Sequence, residues 1–373
     1  MNLFRHFKNL FSRPPKIKCH AGLKGAALAD VIFQNLVIEK KVPGIAVTIL
    51  KNGNPILKKG YGYADLETKP LIDPDTTVFR TASVSKCITG LAFGKMVEEG
   101  LLNWDNSLYT HVPYYPKKKY DFTLRQLASH TAGIRAYRGK EFALNKPYTI
   151  KESLEVFQND PLVFKPGEGY LYTSFDFVLL SLAMEEASGV PFEDYVYDKV
   201  LSPLGMTNTF VPHRTNKIVS SSARLPDGKG VESQAKFYTK TATGFKKSVS
   251  VNNNYKLAGG GYLSTSADIA ILGQAILDKK MLRLHTYNEL LTAQRVKGKS
   301  TFYGLGFQVS QDAKGRSFVG HVGSNVGGYS NLFVYPKEEL VVSILVNCTD
   351  PKVQTELDEA IKFIIEEATP PVA

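Results

Sequence analysis

The strand signals of this chain lie at its two ends, and that arrangement limits the possible folds more than any other feature. Near the start, Ile45 to Leu50 is a β-branched, apolar run. Lys51-Asn52-Gly53-Asn54 then carries an Asn-Gly turn signal, and a second strand is expected from about Pro55 to Tyr63. Strand patterns return at Gly304 to Ser310, Ser317 to His321, Ser330 to Tyr335 and Leu340 to Asn347. A helix is expected over about 22–40, broken before Pro43-Gly44, and a last one over Gln354 to Glu367. Strands separated so widely in the chain find partners most readily in one sheet assembled from both ends. The expectation is an α/β (α+β) fold: an antiparallel sheet flanked by helices, with an inserted all-helical lobe.

The expected organisation is one composite catalytic domain. Residues 1–21 form a basic tail, 22–102 and 256–373 the sheet lobe, 103–212 the helical lobe, and 213–255 a polar, variable insertion. Leu124 to Leu127, Ile150 to Phe157 and Phe175 to Ala187 are the clearest helical pieces of the helical lobe. A cleft between two such lobes is a natural place for a catalytic site.

Composition narrows the functional classes. The 373 residues are 43% hydrophobic and 22% charged, the balance of an ordinary globular protein. No apolar run approaches the roughly 18 residues of a membrane-spanning helix. The net charge of +11 favours acidic partners, yet Lys and Arg are scattered and no nucleic-acid motif is present. Cys19, Cys87 and Cys348 are too few and too far apart for a disulfide framework, and the seven histidines are not spaced as metal ligands. Neither a metal nor another cofactor is expected. Met1 to Phe11 lacks the apolar core of a secretory signal. Its basic character is compatible with a short helix on a membrane surface, a targeting segment of mitochondrial type, or a disordered tail ending at Pro14-Pro15.

The chemistry is concentrated in three short stretches: Ser83-Val84-Ser85-Lys86, Tyr172-Thr173-Ser174 and His321-Val322-Gly323. Ser83 to Glu99 reads as a helix ending at Gly100, so Ser83 and Lys86, three apart, would share a face. Serine is a weak nucleophile unless a neighbour takes its proton, and a crowded lysine or a tyrosine beside it can do so. A phenol near an ammonium is expected to have a lowered pKa.

The flanks Gly60-Tyr61-Gly62-Tyr63-Ala64-Asp65 and Phe79-Arg80-Thr81-Ala82 lead into the first stretch. Leu127-Ala128-Ser129-His130-Thr131-Ala132-Gly133-Ile134, Phe164-Lys165-Pro166-Gly167-Glu168, Leu257-Ala258-Gly259-Gly260-Gly261 and Gly320-His321-Val322-Gly323-Ser324 continue the series. With them the chain, over roughly residues 22–365, resembles the serine β-lactamase-related family of class C β-lactamases, D-alanyl-D-alanine carboxypeptidases and esterases. Within that family it is most similar to the branch of the mitochondrial serine β-lactamase-like protein. The resemblance implies a β-lactamase/transpeptidase-like fold and a serine hydrolase working through an acyl-enzyme. Ser83 would be the nucleophile, Lys86 its proton partner and Tyr172 the relay to the leaving group. The backbone N–H groups of Ser83 and Ser324 would form the oxyanion hole, with Ser174, His321, Val322 and Gly323 contacting a small-molecule or peptide substrate.

The chain departs from the family pattern at two places. Ser174 stands where asparagine is usual. His321-Val322-Gly323 stands where β-lactamases and carboxypeptidases have Lys-Thr-Gly, which removes a fixed positive charge and a hydroxyl from that strand. An ester or amide substrate is therefore expected before a β-lactam or a D-Ala-D-Ala peptide. The rival class is a non-catalytic scaffold of this fold that assembles into oligomers or filaments, and retention of Ser83, Lys86 and Tyr172 argues against it.

Overall fold

The computed structural model describes residues 22–212 and 233–368. In chain order the main elements are α1 (Gly25–Ile38), β1 (Gly44–Lys51), β2 (Asn54–Gly62), β3 (Phe79–Arg80), α2 (Ser85–Glu98), α3 (Leu124–Ala128) and α4 (Ser174–Ser188). They are followed by β4 (Tyr238–Thr241), β5 (Gly244–Lys247), β6 (Leu263–Ser264), α5 (Ser266–Leu277), β7 (Gln308–Gln311), β8 (Ser317–Asn325), β9 (Gly328–Tyr335), β10 (Leu340–Val346) and α6 (Gln354–Ala368).

The main sheet has six strands in the order β2-β1-β10-β9-β8-β7, and every neighbouring pair is antiparallel. It is the sheet expected from both chain ends. β1 lies directly against β10, with Ile45 opposite Val346 and Lys51 opposite Leu340. The β1–β2 turn uses left-handed backbone at Asn52 and Gly53, with φ of 50° and 74°, as a tight hairpin requires.

Both faces of this sheet are covered, which is why β10 reads as an unbroken apolar run rather than an alternation. Its residues still divide by the two-residue period of a strand. Leu340, Val342, Ile344 and Val346 pack under α1 and α6, while Val341 and Leu345 belong to the core on the opposite face. On α6, Leu357, Ile361 and Ile364 form a stripe one turn apart. Each such side chain contributes about 1.5–3 kcal/mol when fully buried.

The second face meets α5, α2 and the helices of the other lobe. α2 and α4 are buried almost all round, with Ser85 to Gly94 and Phe175 to Met184 shielded from water. α4 starts cleanly because the Thr173 side chain accepts the Phe175 N–H.

Four local expectations change. Ser83 lies not in α2 but in a 3₁₀ turn, Ala82–Val84, that precedes it. The Ile150 to Phe157 piece is a 3₁₀ helix over Glu152–Val156. The strand expected from Gly304 begins only at Gln308, because Gly304 to Gly306 instead turn back to bond Leu290 and Ala128 through their own or neighbouring amides. α5 was not expected at all. Within 213–255, Tyr238–Thr241 and Gly244–Lys247 form a hairpin, and 213–232 lie outside the described residues, as do 1–21. No helix among the described residues is long and apolar enough to cross a membrane.

Candidate active site

The turn that carries Ser83 is pinned from three directions. β3 pairs with β6, and the Thr81 N–H and hydroxyl both bond the Tyr262 carbonyl. The Ser330 hydroxyl, from β9, donates to the Thr81 carbonyl at 2.6 Å. Between these ties Ala82 adopts φ of 45°, a left-handed conformation costly for a residue with a Cβ. Strain of this kind persists only where the surroundings fix it. Here it turns the Ser83 hydroxyl toward the lobe interface.

Three side chains meet at that hydroxyl. Lys86 Nζ is 3.2 Å from Ser83 Oγ, so leaving the helix has not separated the pair. The same ammonium donates to the Gly259 carbonyl at 2.5 Å and lies 3.4 Å from Ser174 Oγ. Tyr172 Oη donates to Ser83 Oγ at 2.7 Å. Tyr172 as a whole residue is 37% exposed, while its hydroxyl end is enclosed against Ser83.

Burial sets the electrostatics. It lowers the Lys86 pKa to about 7, against the pull of the nearby Asp176 carboxyl. The expectation that Lys86 would hold the Tyr172 phenol low fails. Burial outweighs the hydrogen bond to Ser83 and pushes that pKa up, so Tyr172 is a proton donor at neutral pH.

Ser324 and Gly323 come from the open end of β8. β7 covers β8 only as far as Gly320. Beyond it, the Val322 N–H donates to Gln308 Oε1 at 3.1 Å, on the edge away from β9. Amides two apart on a strand point the same way, so the Ser324 N–H faces that open edge beside Ser83. Gly323 allows the approach: a Cβ there would lie 2.8 Å from the Ser83 nitrogen and 2.3 Å from Ser330 Oγ.

His321 and Val322 are placed differently from the expectation. His321 is buried; its Nδ1–H donates to the Val322 carbonyl at 2.6 Å, and Nε2 accepts from Tyr303 Oη at 2.9 Å. Burial, helped by the Lys86 charge, drops its pKa to about 3, so it is neutral. Val322 packs its side chain with the apolar cluster under α1 and α6, on the opposite sheet face. Neither side chain replaces the lost lysine and threonine.

Sequence reasoning missed Asp176 and Lys256 as neighbours of this centre. His130 Nδ1 lies 2.8 Å from Asp176 Oδ2 behind Tyr172, where burial pushes the carboxyl up and the imidazole down, favouring a neutral pair. A small cavity of about 70 Å³ joins Ser83, Ser174 and Ser324 to Tyr137, Asn325 and Lys256. The only local signal for Lys256 is its position just before the Leu257-Ala258-Gly259-Gly260-Gly261 segment.

The fold agrees with what is found among known proteins. A family model described as Beta-lactamase matches residues 29–365, and the chain belongs to that family. The serine beta-lactamase-like protein LACTB, mitochondrial, of Homo sapiens is 28% identical, over 91% of this chain and 76% of its own. Among solved structures, the octameric penicillin-binding protein homologue from Pyrococcus abyssi superposes with a TM-score of 0.76 at 25% identity, over 92% of this chain and 79% of the other. The D-amino acid amidase from Ochrobactrum anthropi SV3 does so with a TM-score of 0.77 at 19% identity, over 91% and 99%.

Proposed function

We propose that this chain is a serine hydrolase that cleaves an ester or amide through an acyl-enzyme on Ser83. The observation that carries the reading is the position of Ser83 Oγ, 3.2 Å from a lysine whose pKa is lowered to about 7 and 2.7 Å from a protonated tyrosine. A neutral Lys86 takes the hydroxyl proton as Oγ attacks the substrate carbonyl carbon. The oxyanion accepts hydrogen bonds from the Ser83 and Ser324 amides, each worth about 3 kcal/mol in the transition state. As the carbonyl re-forms, Tyr172 gives its proton to the leaving oxygen or nitrogen and recovers one from the Lys86 ammonium. Water then attacks the ester on Ser83, giving its proton to the same groups, and releases the acid.

The substrate class is a neutral leaving group rather than a β-lactam, because His321 and Val322 put no cation or hydroxyl beside it. An amidase among the structural neighbours is in keeping with amide cleavage. The test is labelling of the full chain with a fluorophosphonate probe. One label per chain, absent in Ser83→Ala, is expected. Unlabelled wild-type protein that hydrolyses no 4-nitrophenyl ester would instead leave the non-catalytic scaffold.

A further inference from the structure

Lys256 is buried in the wall of the Ser83 cavity, and Arg80, half-buried, lines a neighbouring pocket with Asn252 to Asn254; the described residues give neither cation a carboxylate. Lys256 ends the 3₁₀ turn Asn254–Lys256 and is 5% exposed. Its ammonium donates to the Phe142 carbonyl at 2.8 Å, which uses one of three N–H groups. The rings of Tyr137 and Tyr255 flank it at 5.6 and 5.5 Å. Arg80, on β3, donates to the Val326 carbonyl and lies 4.1 Å over the Phe237 ring. Burial, then the Arg80 charge, lowers Lys256 to about 8, and burial lowers Arg80 to about 10. An acid partner would have shifted both upward. A buried cation without one is costly, and an anion in contact with it would offset that cost.

The position of Lys256 says which part of a substrate it meets. Lys256 lines the cavity together with Ser83, Ser174, Gly260 and Ser324, whereas Tyr172 and His321 are not in its wall. In the acyl-enzyme mechanism Tyr172 serves the leaving group, so this cavity is on the acyl side. Its volume, about 70 Å³, suits a short chain.

Resting on that mechanism, we propose that Lys256, backed by Arg80, is an anion-binding subsite for a carboxylate at the end of a short acyl group. The positive charge absent from the His321 strand thus reappears on the other side of Ser83. The acids released would be short dicarboxylic acids or acyl groups ending in a carboxylate.

The experiment compares 4-nitrophenyl hydrogen glutarate and succinate with neutral 4-nitrophenyl pentanoate and butyrate. Rates given by Ser83→Ala are subtracted, because the acid esters also react spontaneously. At pH 7 the wild type should favour the carboxylate-bearing ester by tenfold or more in kcat/KM. That ratio should collapse by about tenfold in Lys256→Met and be partly kept in Lys256→Arg. A wild-type measurement stands even if Lys256→Met does not fold: the ratio should fall between pH 7 and 9.5 as Lys256 loses its proton. The groups facing Lys256 are Arg80, near 10, Tyr137, pushed up to about 12, Tyr255, also pushed up, and Lys86. Lys86 titrates at the start of that window and acts on both esters alike, so it cancels in the ratio; any loss of charge from Arg80 near its top lowers the ratio in the same direction as Lys256. Hydrolysis of both esters without a preference, or a preference indifferent to pH and to Lys256→Met, overturns the subsite and leaves the serine hydrolase standing. Hydrolysis of neither ester, with no fluorophosphonate label on Ser83, overturns both.

Discussion

Lys86 Nζ stands 3.2 Å from Ser83 Oγ at the bottom of the cleft, with no water-exposed surface of its own. A lysine in solution is protonated at neutral pH and cannot accept a proton. Burial reverses this by penalising the ammonium, which brings the pKa to about 7. The charged form is the inactive one, so activity must rise with pH as Lys86 deprotonates. We expect kcat/KM for 4-nitrophenyl acetate to climb with unit slope below about pH 7 and level off above it. A profile flat from pH 5.5 to 8 would exclude Lys86 as the base.

Tyr172→Phe keeps the ring and removes the 2.7 Å donor to Ser83. A positioned acid–base group contributes about 10²–10⁴-fold, and kcat should fall by that much with little change in melting temperature. Because burial holds the phenol protonated, the wild type should show no loss of activity from tyrosine ionisation below pH 9. An alkaline limb in the wild type that vanishes in Tyr172→Phe would show that the phenol ionises after all.

Gly323→Ala tests how closely β8 must approach the nucleophile. The new methyl would sit 2.8 Å from the Ser83 nitrogen and 2.8 Å from the Thr81 carbonyl oxygen, which the Ser330 hydroxyl and the Val84 N–H already hold. Overpacking of this kind costs about 1–3 kcal/mol, and the displaced amide should weaken the oxyanion hole as well. The expected result is a melting temperature lowered by several degrees and a kcat lowered by about tenfold or more. Unchanged kcat would mean that the strand can retreat without moving either amide.

How much of this was legible in the sequence depends on the range of the forces involved. The β1–β2 hairpin was readable because Asn52-Gly53 states its turn locally. The apolar runs of β9 and β10 were readable because both sheet faces are covered. The S-x-x-K pair survived even though Ser83 left the helix, since a 3₁₀ turn still carries Oγ toward Nζ. α5 has a start signal that could have been used: Thr265 accepts the Asp268 N–H as its cap. Lys256 had no such signal. A lysine is ordinarily solvated, and only packing between distant segments, here Phe142 and the Tyr137 ring, takes this one out of water. The same holds for Tyr172: its neighbours promised a lowered pKa, and the enclosure that raised it is a property of the assembled lobes.

His321 occupies the place of a lysine in the resembled β-lactamases, and its charge decides whether it can act as one. Its Nδ1–H is committed to the Val322 carbonyl, and its Nε2 lone pair to the Tyr303 hydroxyl. Protonating Nε2 would break the second bond and place a charge in a buried site near Lys86. Burial and that charge lower the pKa to about 3, so protonation sets in only as pH falls toward that value. Nitrogen-15 NMR of imidazole-labelled protein should therefore show His321 as the neutral Nδ1–H form from pH 8 down to 5. Tyr303→Phe removes the donor and leaves Nε2 unsatisfied, which costs about 1–3 kcal/mol in urea unfolding. Even so, burial persists in that variant, and His321 should still fail to titrate near 6.5. A His321 signal that moves with a midpoint between 6 and 7 in the wild type would return a positive charge to this strand and readmit carboxylate-bearing leaving groups.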